Sequence, residues 1–258
     1  MNNRINALFE KKTKNILSVY FTAGYPNLND TETIIIELEK AGVDLIEIGI
    51  PFSDPTADGP VIQQSSHQAL VNGMSLNLLF SQLANIRKKV SIPLILMGYF
   101  NPVYQFGIEN FCMKCLETGI DGVILPDLPL WEYENNYKSI FEKVNLHNIL
   151  MITPQTSNKR ILEIDEKSTG FIYMVSSSST TGKKQKVEDF QQEYFNRVSD
   201  MEIKSPRIIG FGISTRTTFE NACKNANGAI IGTAFINSFH NNIPIEKSIL
   251  AFVNSIKN

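Results

Sequence analysis

The amino-acid sequence predicts an α/β protein folded as a (β/α)8 TIM barrel, and three observations carry the prediction. Short β-branched runs alternate with longer amphipathic ones along the whole chain. The alternation occurs eight times, and the first strand ends in TAGYP, without the G-x-G-x-x-G turn of a dinucleotide-binding fold. Strands alternating with helices build a parallel sheet, and eight such units point to a closed barrel; a doubly wound open sheet, the alternative, usually has fewer strands. The 258 residues are read as one barrel domain, 1–258, since α/β barrels of roughly 200–250 residues commonly form a single domain.

The elements follow in order. A short extra helix near 2–12 precedes the first strand, ILSVYFT (16–22). DTETIIIELEKAG (30–42) carries apolar residues at three- and four-residue spacing and ends in glycine, the signature of an amphipathic helix with its C-terminal stop. DLIEIGI (44–50), PLILMGY (93–99), GVILP (122–126), NILMIT (148–153), GFIYMVS (170–176), RIIGFG (207–212) and GAIIG (228–232) are the remaining strands. Helical spacing covers roughly 75–89, 107–118, 132–143, 157–167, 187–201, 214–226 and 245–256.

Composition narrows the function classes. The chain is 43% hydrophobic and 19% charged with a net charge of −2, and it has no basic stripe to serve as a nucleic-acid footprint. MNNRINALFEKK lacks the apolar stretch of a signal peptide, and no segment approaches the ~18 uninterrupted apolar residues of a membrane span. A cytoplasmic protein without membrane partners is expected. Three cysteines in an unexported chain argue against a disulfide framework. Cys112 and Cys115 form a C-x-x-C without a second Cys or His cluster, so two small residues on one helix face are a better reading than a redox or metal pair.

One strand holds a carboxylate. Glu47 interrupts the apolar run DLIEIGI near the C-terminal end of the second strand, where barrel active sites lie. Burial there disfavours the charged form, so its pKa is expected to rise and the group to both donate and accept protons; a buried acid tied to a backbone amide or an Arg is the plainer reading. Asp58 follows in PFSDPTADGPVIQQSS, a segment longer than the usual βα loop of roughly 2–6 residues. Asp54, further from the strand end, is read as solvated or partner-facing.

A second constellation closes the chain. Gly210 and Gly212 stand at the end of the seventh strand, and Gly232 and Thr233 at the end of the eighth. Barrels often hold phosphate there through backbone N–H groups, with hydroxyls such as Thr233 and Ser214 in support, although tight turns and helix caps use the same residues. Ser176 to Thr181, six consecutive hydroxyl residues after the sixth strand, read as a polar lid with Thr181 and Gly182 near the phosphate, or else as a flexible loop. No strand end carries a Lys for Schiff-base chemistry, and His67, His147 and His240 are scattered, without metal-ligand spacing.

From YFTAGYP (20–26) to IIGTAF (230–235) the sequence resembles the tryptophan synthase α-subunit family, most specifically in EIGIPFSDPTADGPVIQ (47–63), with LMGYFNPVYQFG (96–107), LPDLP (125–129) and GFGIS (210–214) in support. The resemblance implies a TIM barrel that cleaves indole-3-glycerol phosphate to indole and glyceraldehyde 3-phosphate. It implies Glu47 as proton shuttle and Asp58 as second catalytic acid, stabilising the indole N–H. It implies Tyr20, Met97, Tyr99, Ile124, Tyr173 and Phe211 around the substrate, with Thr181, Gly182, Gly212, Gly232 and Thr233 around its phosphate. It further implies a pyridoxal-phosphate β subunit as partner in an α2β2 assembly, with Asp54, Asn101 and Asp127 facing it and no cofactor in this chain. A large exposed apolar patch near Pro51, Pro102 and Leu130 would be the physical sign of that partner. Where many family members have an Arg and a Gly in a pattern like SRSGVTG, this chain reads SSSSTTG, with Ser177 and Ser179 at those places, and Thr56 stands where Leu is frequent. A stand-alone indole-releasing lyase and a partner that activates a β subunit without chemistry of its own remain the alternatives.

Overall fold

A computed structural model describes residues 3–176, 184–239 and 243–257, with the backbone alone for 184–190. The strands are β1 (Ile16–Thr22), β2 (Leu45–Gly49), β3 (Leu94–Met97), β4 (Gly122–Ile124), β5 (His147–Asn148), β6 (Leu150–Ile152), β7 (Ile172–Val175), β8 (Arg207–Gly210) and β9 (Gly228–Ile231). They pair in the order β5-β4-β3-β2-β1-β9-β8-β7-β6, with parallel registers throughout. The two ends of that order are neighbours in the chain. β5 and β6 are separated only by Ile149, whose N–H donates to the carbonyl of Val123 at 2.8 Å. The fifth stave therefore pairs with β4 through its first half and with β7 through its second, and eight staves close the barrel nearly completely. This is the predicted fold.

Alternation along each strand sorts the side chains. Leu17, Val19, Phe21, Ile46, Ile48, Leu94 and Leu96 point outward and pack under the helices. Ile16, Tyr20, Leu45, Ile95, Ile124, Ile149, Phe171, Tyr173, Ile208 and Ile230 fill the barrel, joined by Ile5 and Phe9 from the N-terminal helix α1 (Arg4–Lys11). That helix closes the N-terminal end. The Asn3 side-chain amide donates to the carbonyls of Asp121 and Asn145, both at 2.8 Å, and a Cβ on Gly122 would lie 2.9 Å from Ile5.

The outer layer comprises α2 (Asp30–Lys40), α3 (Pro60–Val71), α4 (Leu76–Leu83), α5 (Phe100–Phe106), α6 (Ile108–Thr118), α7 (Leu130–Glu132), α8 (Lys138–Lys143), α9 (Asn158–Lys167), α10 (Lys184–Ser199), α11 (Arg216–Asn225), α12 (Thr233–Ile236) and α13 (Ile245–Lys257). A π turn, Tyr133–Tyr137, joins α7 to α8. Three helices lie outside the predicted set. The long segment after the second strand is half helix: Pro60, whose fixed φ suits a first helical position, opens α3, and the true connection ends at Gly59. The buried residues of α3 are the small Ser65, Ser66 and Ala69, so little apolar contrast marks it in the sequence. The others, α5 and α12, are seven and four residues long, too short for a periodic signal. The predicted helix over 75–89 ends at Leu83 and continues only as the 3₁₀ turn Ile86–Lys88.

The inner face of α6 carries Cys112 and Cys115 beside Phe111, all fully buried, with the thiols free. Burial pushes the Cys112 thiol up to about 12 and lifts Cys115 well above the usual thiol range, so both stay protonated packing residues. Among the described residues no His, Cys, Asp and Glu cluster could hold a metal, and no helix is long and apolar enough to cross a membrane.

Candidate active site

Glu47 is the central residue of β2 and faces the barrel interior, level with Tyr20 on β1 and Ile95 on β3. It is completely buried. The Ser18 hydroxyl donates to its Oε1 at 3.2 Å, while Oε2 is buried with no hydrogen-bond partner among the described residues. Burial is the dominant influence and raises its pKa to about 8, against a smaller downward pull from Ser18. At neutral pH this carboxyl holds a proton.

Two phenols flank it. The hydroxyl of Tyr173 lies over Gly210 and that of Tyr20 over Gly49; a Cβ on either glycine would overlap the ring it accommodates. Burial, with the nearby Glu47 and Asp58 charges adding to it, lifts both phenol pKa values further from neutrality. Each tyrosine is a hydrogen-bond donor and not a base.

Asp58 sits half-buried at the cavity wall. Its N–H donates to the Pro55 carbonyl at 3.1 Å, and its own carbonyl accepts from Gln63 Nε2 at 2.9 Å. The Ser66 hydroxyl ties the loop down at Phe52, accepting from its N–H at 2.8 Å and donating to its carbonyl at 2.9 Å. Tyr99 Oη donates to Asp58 Oδ2 at 3.2 Å and accepts from the Ala57 N–H at 2.9 Å. Burial raises the Asp58 pKa and the Tyr99 bond lowers it. Asp58 is thus less exposed than a simple polar loop would leave it, and a hydrogen bond counters the cost of its charge.

The mouth of the barrel holds a two-lobed cavity. One lobe, about 240 Å³, is lined by Ile50, Phe52, Pro55, Ala57, Tyr99, Pro126, Met151 and Val175. The other, about 340 Å³, is lined by Glu47, Tyr173, Gly212, Ile213, Ser214, Ile230, Gly232, Thr233, Ala234 and Asn237. Tyr20, Asp58, Ile62, Met97 and Phe211 border both. The first lobe is lined mostly by apolar side chains, and the second leads from Glu47 to backbone turns. Gly212 and Phe211 both have positive φ, +72° and +68°. For Phe211 that conformation costs on the order of 1–3 kcal/mol, and it sets the ring edge-on to Tyr173 at a centroid distance of 6.2 Å. Gly232 precedes α12, so the first-turn N–H groups of that helix have no acceptor within it. The Ser214 N–H is taken by Thr218 Oγ1 at 3.0 Å, leaving its hydroxyl as the group that can serve a ligand.

The structure gathers most sequence-predicted residues around one space: Glu47, Asp58, Tyr20, Met97, Tyr99, Tyr173, Phe211, Gly212, Gly232 and Thr233. Ile124, level with Met97 on the next strand, is fully buried among the interior residues and forms no part of the cavity wall. Thr181 and Gly182 lie outside the described residues, as do Ser177 and Ser179. Asp54, Asn101 and Asp127 are exposed beyond the cavity, and Asp127 Oδ1 accepts the Phe100 N–H at 2.8 Å, anchoring the start of α5. A shallow apolar groove does run past Pro51 and Pro102, but Leu130 is buried and its neighbour Trp131, 70% exposed, stands outward instead. Sequence reasoning missed Phe52, Ile62, Met151, Val175 and Asn237. Met151 and Val175 were legible as inward positions of their strands; Asn237 depends on the short α12 and had no signal.

A barrel whose C-terminal mouth places a buried, protonated acid and a second carboxyl on one cavity, beside glycine turns after its last two strands, has the layout of a TIM-barrel enzyme. The family model for the tryptophan synthase alpha chain matches residues 6–256. The tryptophan synthase alpha chain of Flavobacterium psychrophilum is 60% identical over 93% of this chain and 94% of its own. That of Bacteroides thetaiotaomicron is 53% identical over 99% of this chain and 100% of its own. The solved tryptophan synthase subunit alpha of Legionella pneumophila str. Paris has a TM-score of 0.88 at 33% identity, covering 99% of this chain and 97% of that one. The chain belongs to the tryptophan synthase alpha chain family.

Proposed function

We propose that this chain is a carbon–carbon lyase that cleaves indole-3-glycerol phosphate to indole and glyceraldehyde 3-phosphate on a single barrel domain, with indole passed to a pyridoxal-phosphate β subunit in a cytoplasmic α2β2 assembly. The observation that carries the reading is Glu47, a buried acid with one oxygen unpartnered among the described residues, on the wall of a cavity that Asp58 also borders. The indole ring fits the apolar lobe, and the phosphate fits the turns at Gly212, Gly232 and Thr233.

The chemistry then divides between the two acids. Glu47 gives its proton to the ring carbon that bears the side chain. Positive charge develops at the ring N–H, where ionised Asp58 accepts the hydrogen bond and stabilises it. Glu47, now an anion, takes the proton of the adjacent side-chain hydroxyl. That oxygen becomes the aldehyde carbonyl, the carbon–carbon bond breaks, and its electron pair returns to the ring. Glu47 ends protonated, as it began. Tyr20 and Tyr173 stay protonated beside it and keep the proton transfers on the carboxyl. This chain supplies acids, donors and backbone turns, and no cofactor of its own enters the scheme. Asp54, Asn101 and Asp127, with the groove past Pro51 and Pro102, fit a face toward the β subunit.

The test is indole release from indole-3-glycerol phosphate by the purified chain, with and without a β subunit, for wild type, Glu47→Gln and Asp58→Asn. Weak activity alone, strong activation by the β subunit and loss in both variants are expected. Wild-type turnover by Glu47→Gln would overturn the mechanism. Full turnover without a β subunit would replace the paired enzyme by an independent indole source.

A further inference from the structure

The interior rows of the barrel are apolar almost throughout, and Ser18 breaks the pattern. It lies on the inward row of β1 between Ile16 and Tyr20, at zero exposure, one layer nearer the N-terminal end than Glu47 and diagonal to it: Ser18 is level with Leu45, and Tyr20 with Glu47. A hydroxyl placed there is costly unless it is bonded, and it bonds to Glu47 Oε1 at 3.2 Å. The other oxygen, Oε2, is equally buried, has no partner among the described residues and belongs to the carboxyl that lines the cavity. The two oxygens of one carboxyl are therefore not equivalent.

We propose that Ser18 is a positioning residue for the reaction: its hydroxyl anchors Oε1 as the carbonyl oxygen of protonated Glu47 and thereby commits Oε2 to carry the proton that is given to substrate and taken back. The inference rests on the reading of Glu47 as proton shuttle. The geometry leaves little other work for Ser18. As a donor to Oε1 it stabilises that oxygen as acceptor, so the proton resides on the other one, and it fixes the carboxyl plane against rotation. When Glu47 becomes an anion in mid-reaction, the same bond strengthens and assists the first proton transfer. Among the described residues, the titratable groups that face Glu47 are Tyr20 from β1, Tyr173 from β7 and Asp58 from the loop after β2; the phenols remain protonated across the working range, and the flanking interior positions Ile95, Ile208 and Ile230 are apolar.

The test combines a carboxyl spectrum with kinetics of the full chain bound to its β subunit. The infrared C=O band of protonated Glu47 is isolated as the difference between each protein and its Glu47→Gln counterpart. In Ser18→Ala the band is expected to move to higher wavenumber, as a carbonyl freed of its donor does, and this readout needs no turnover. The kinetic expectation is a fall in kcat of roughly tenfold, the equivalent of one hydrogen bond at a reacting group, with KM within about twofold. The basic limb of the kcat profile should move to higher pH, because the lost donor had favoured the carboxylate. Ser18→Thr, which keeps the hydroxyl, should restore the band and the limb. If Glu47→Gln is inactive while Ser18→Ala keeps the wild-type band, kcat and pH limb, the positioning role is wrong and the shuttle stands. If Glu47→Gln turns over normally, the shuttle itself fails and the proposal with it.

Discussion

Two buried acids at opposite ends of the barrel make an instructive pair. Asp121, at the N-terminal end, is 3% exposed and fully engaged: Arg4 Nη1 donates to Oδ1 at 2.9 Å, Arg87 Nη2 to Oδ2 at 2.5 Å, and the Leu94 N–H to Oδ2 at 2.9 Å. Glu47, toward the other end, has among the described residues one weak donor on one oxygen and none on the other. Both are carboxyls withdrawn from water. The first is neutralised by two guanidinium groups and fastens the N-terminal helix and the 3₁₀ turn to the barrel floor. The second is left short of partners, so its proton is held rather than lost. Completed coordination makes a rivet; incomplete coordination makes an acid able to exchange a proton near neutrality.

The comparison is breakable in a graded series. The largest expected effect is on turnover: Glu47→Gln should lower kcat for cleavage by about 10³-fold or more, beyond the middle of the range for a positioned acid–base, with a native far-ultraviolet spectrum. Asp121→Ala reverses the pattern. It strands the buried Arg87, whose guanidinium burial already pulls down to about 10, and should cost roughly 3–5 kcal/mol in urea unfolding while the kcat of the surviving folded fraction is unchanged. A loss of turnover without a loss of stability would erase the distinction between the two ends.

A pH series sharpens it further. Glu47 has its pKa raised from 4.5 to about 8 on folding. The folded state therefore binds the proton more tightly, and stability is lost as pH rises between those values. Wild type should weaken by on the order of 2–4 kcal/mol from pH 4.5 to 8.5 relative to Glu47→Gln, in which that dependence is absent. Parallel pH curves for the two proteins would mean that Glu47 is ionised at rest. The smallest effect belongs to Arg4, 44% exposed at its side chain. Arg4→Ala should cost about 1 kcal/mol or less, since solvent screens that half of the Asp121 cluster.

The legibility of these features differed by the range over which they are built. Glu47 was conspicuous because a charged residue in a five-residue strand of apolar neighbours is a local anomaly, and the glycines at the ends of β8 and β9 were legible as turns at a known face of the fold. Asp58 was legible in its long segment, but its surroundings were not: half of that segment is helix, and the pinning of Phe52 by Ser66 and the bond from Tyr99 span 14 and 41 residues of sequence. Ser18 carries no signal of its own, because a serine in ILSVYFT is ordinary until the register places it diagonal to Glu47. Leu130, expected beside an exposed apolar patch, is buried, since α7 is a single short turn followed by a π turn and its phase cannot be read from periodicity.

By itself, the sequence determined the periodicities, and through them the eight alternating units, the inward and outward faces of each strand, the helix stops and the residues able to exchange protons. Those are properties of neighbours two to four positions apart, and backbone geometry converts them directly into faces. Only the tertiary structure decided which inward residues meet. Closure through the divided fifth stave, the room that Gly49 and Gly210 make for the two phenols, and the single donor on Glu47 against three on Asp121 all depend on strand register and barrel closure. The same carboxyl chemistry thus gives an acid that holds its proton near neutrality at one end and a structural anchor at the other, because the number of donors within hydrogen-bond distance is set by distant chain segments brought together in space.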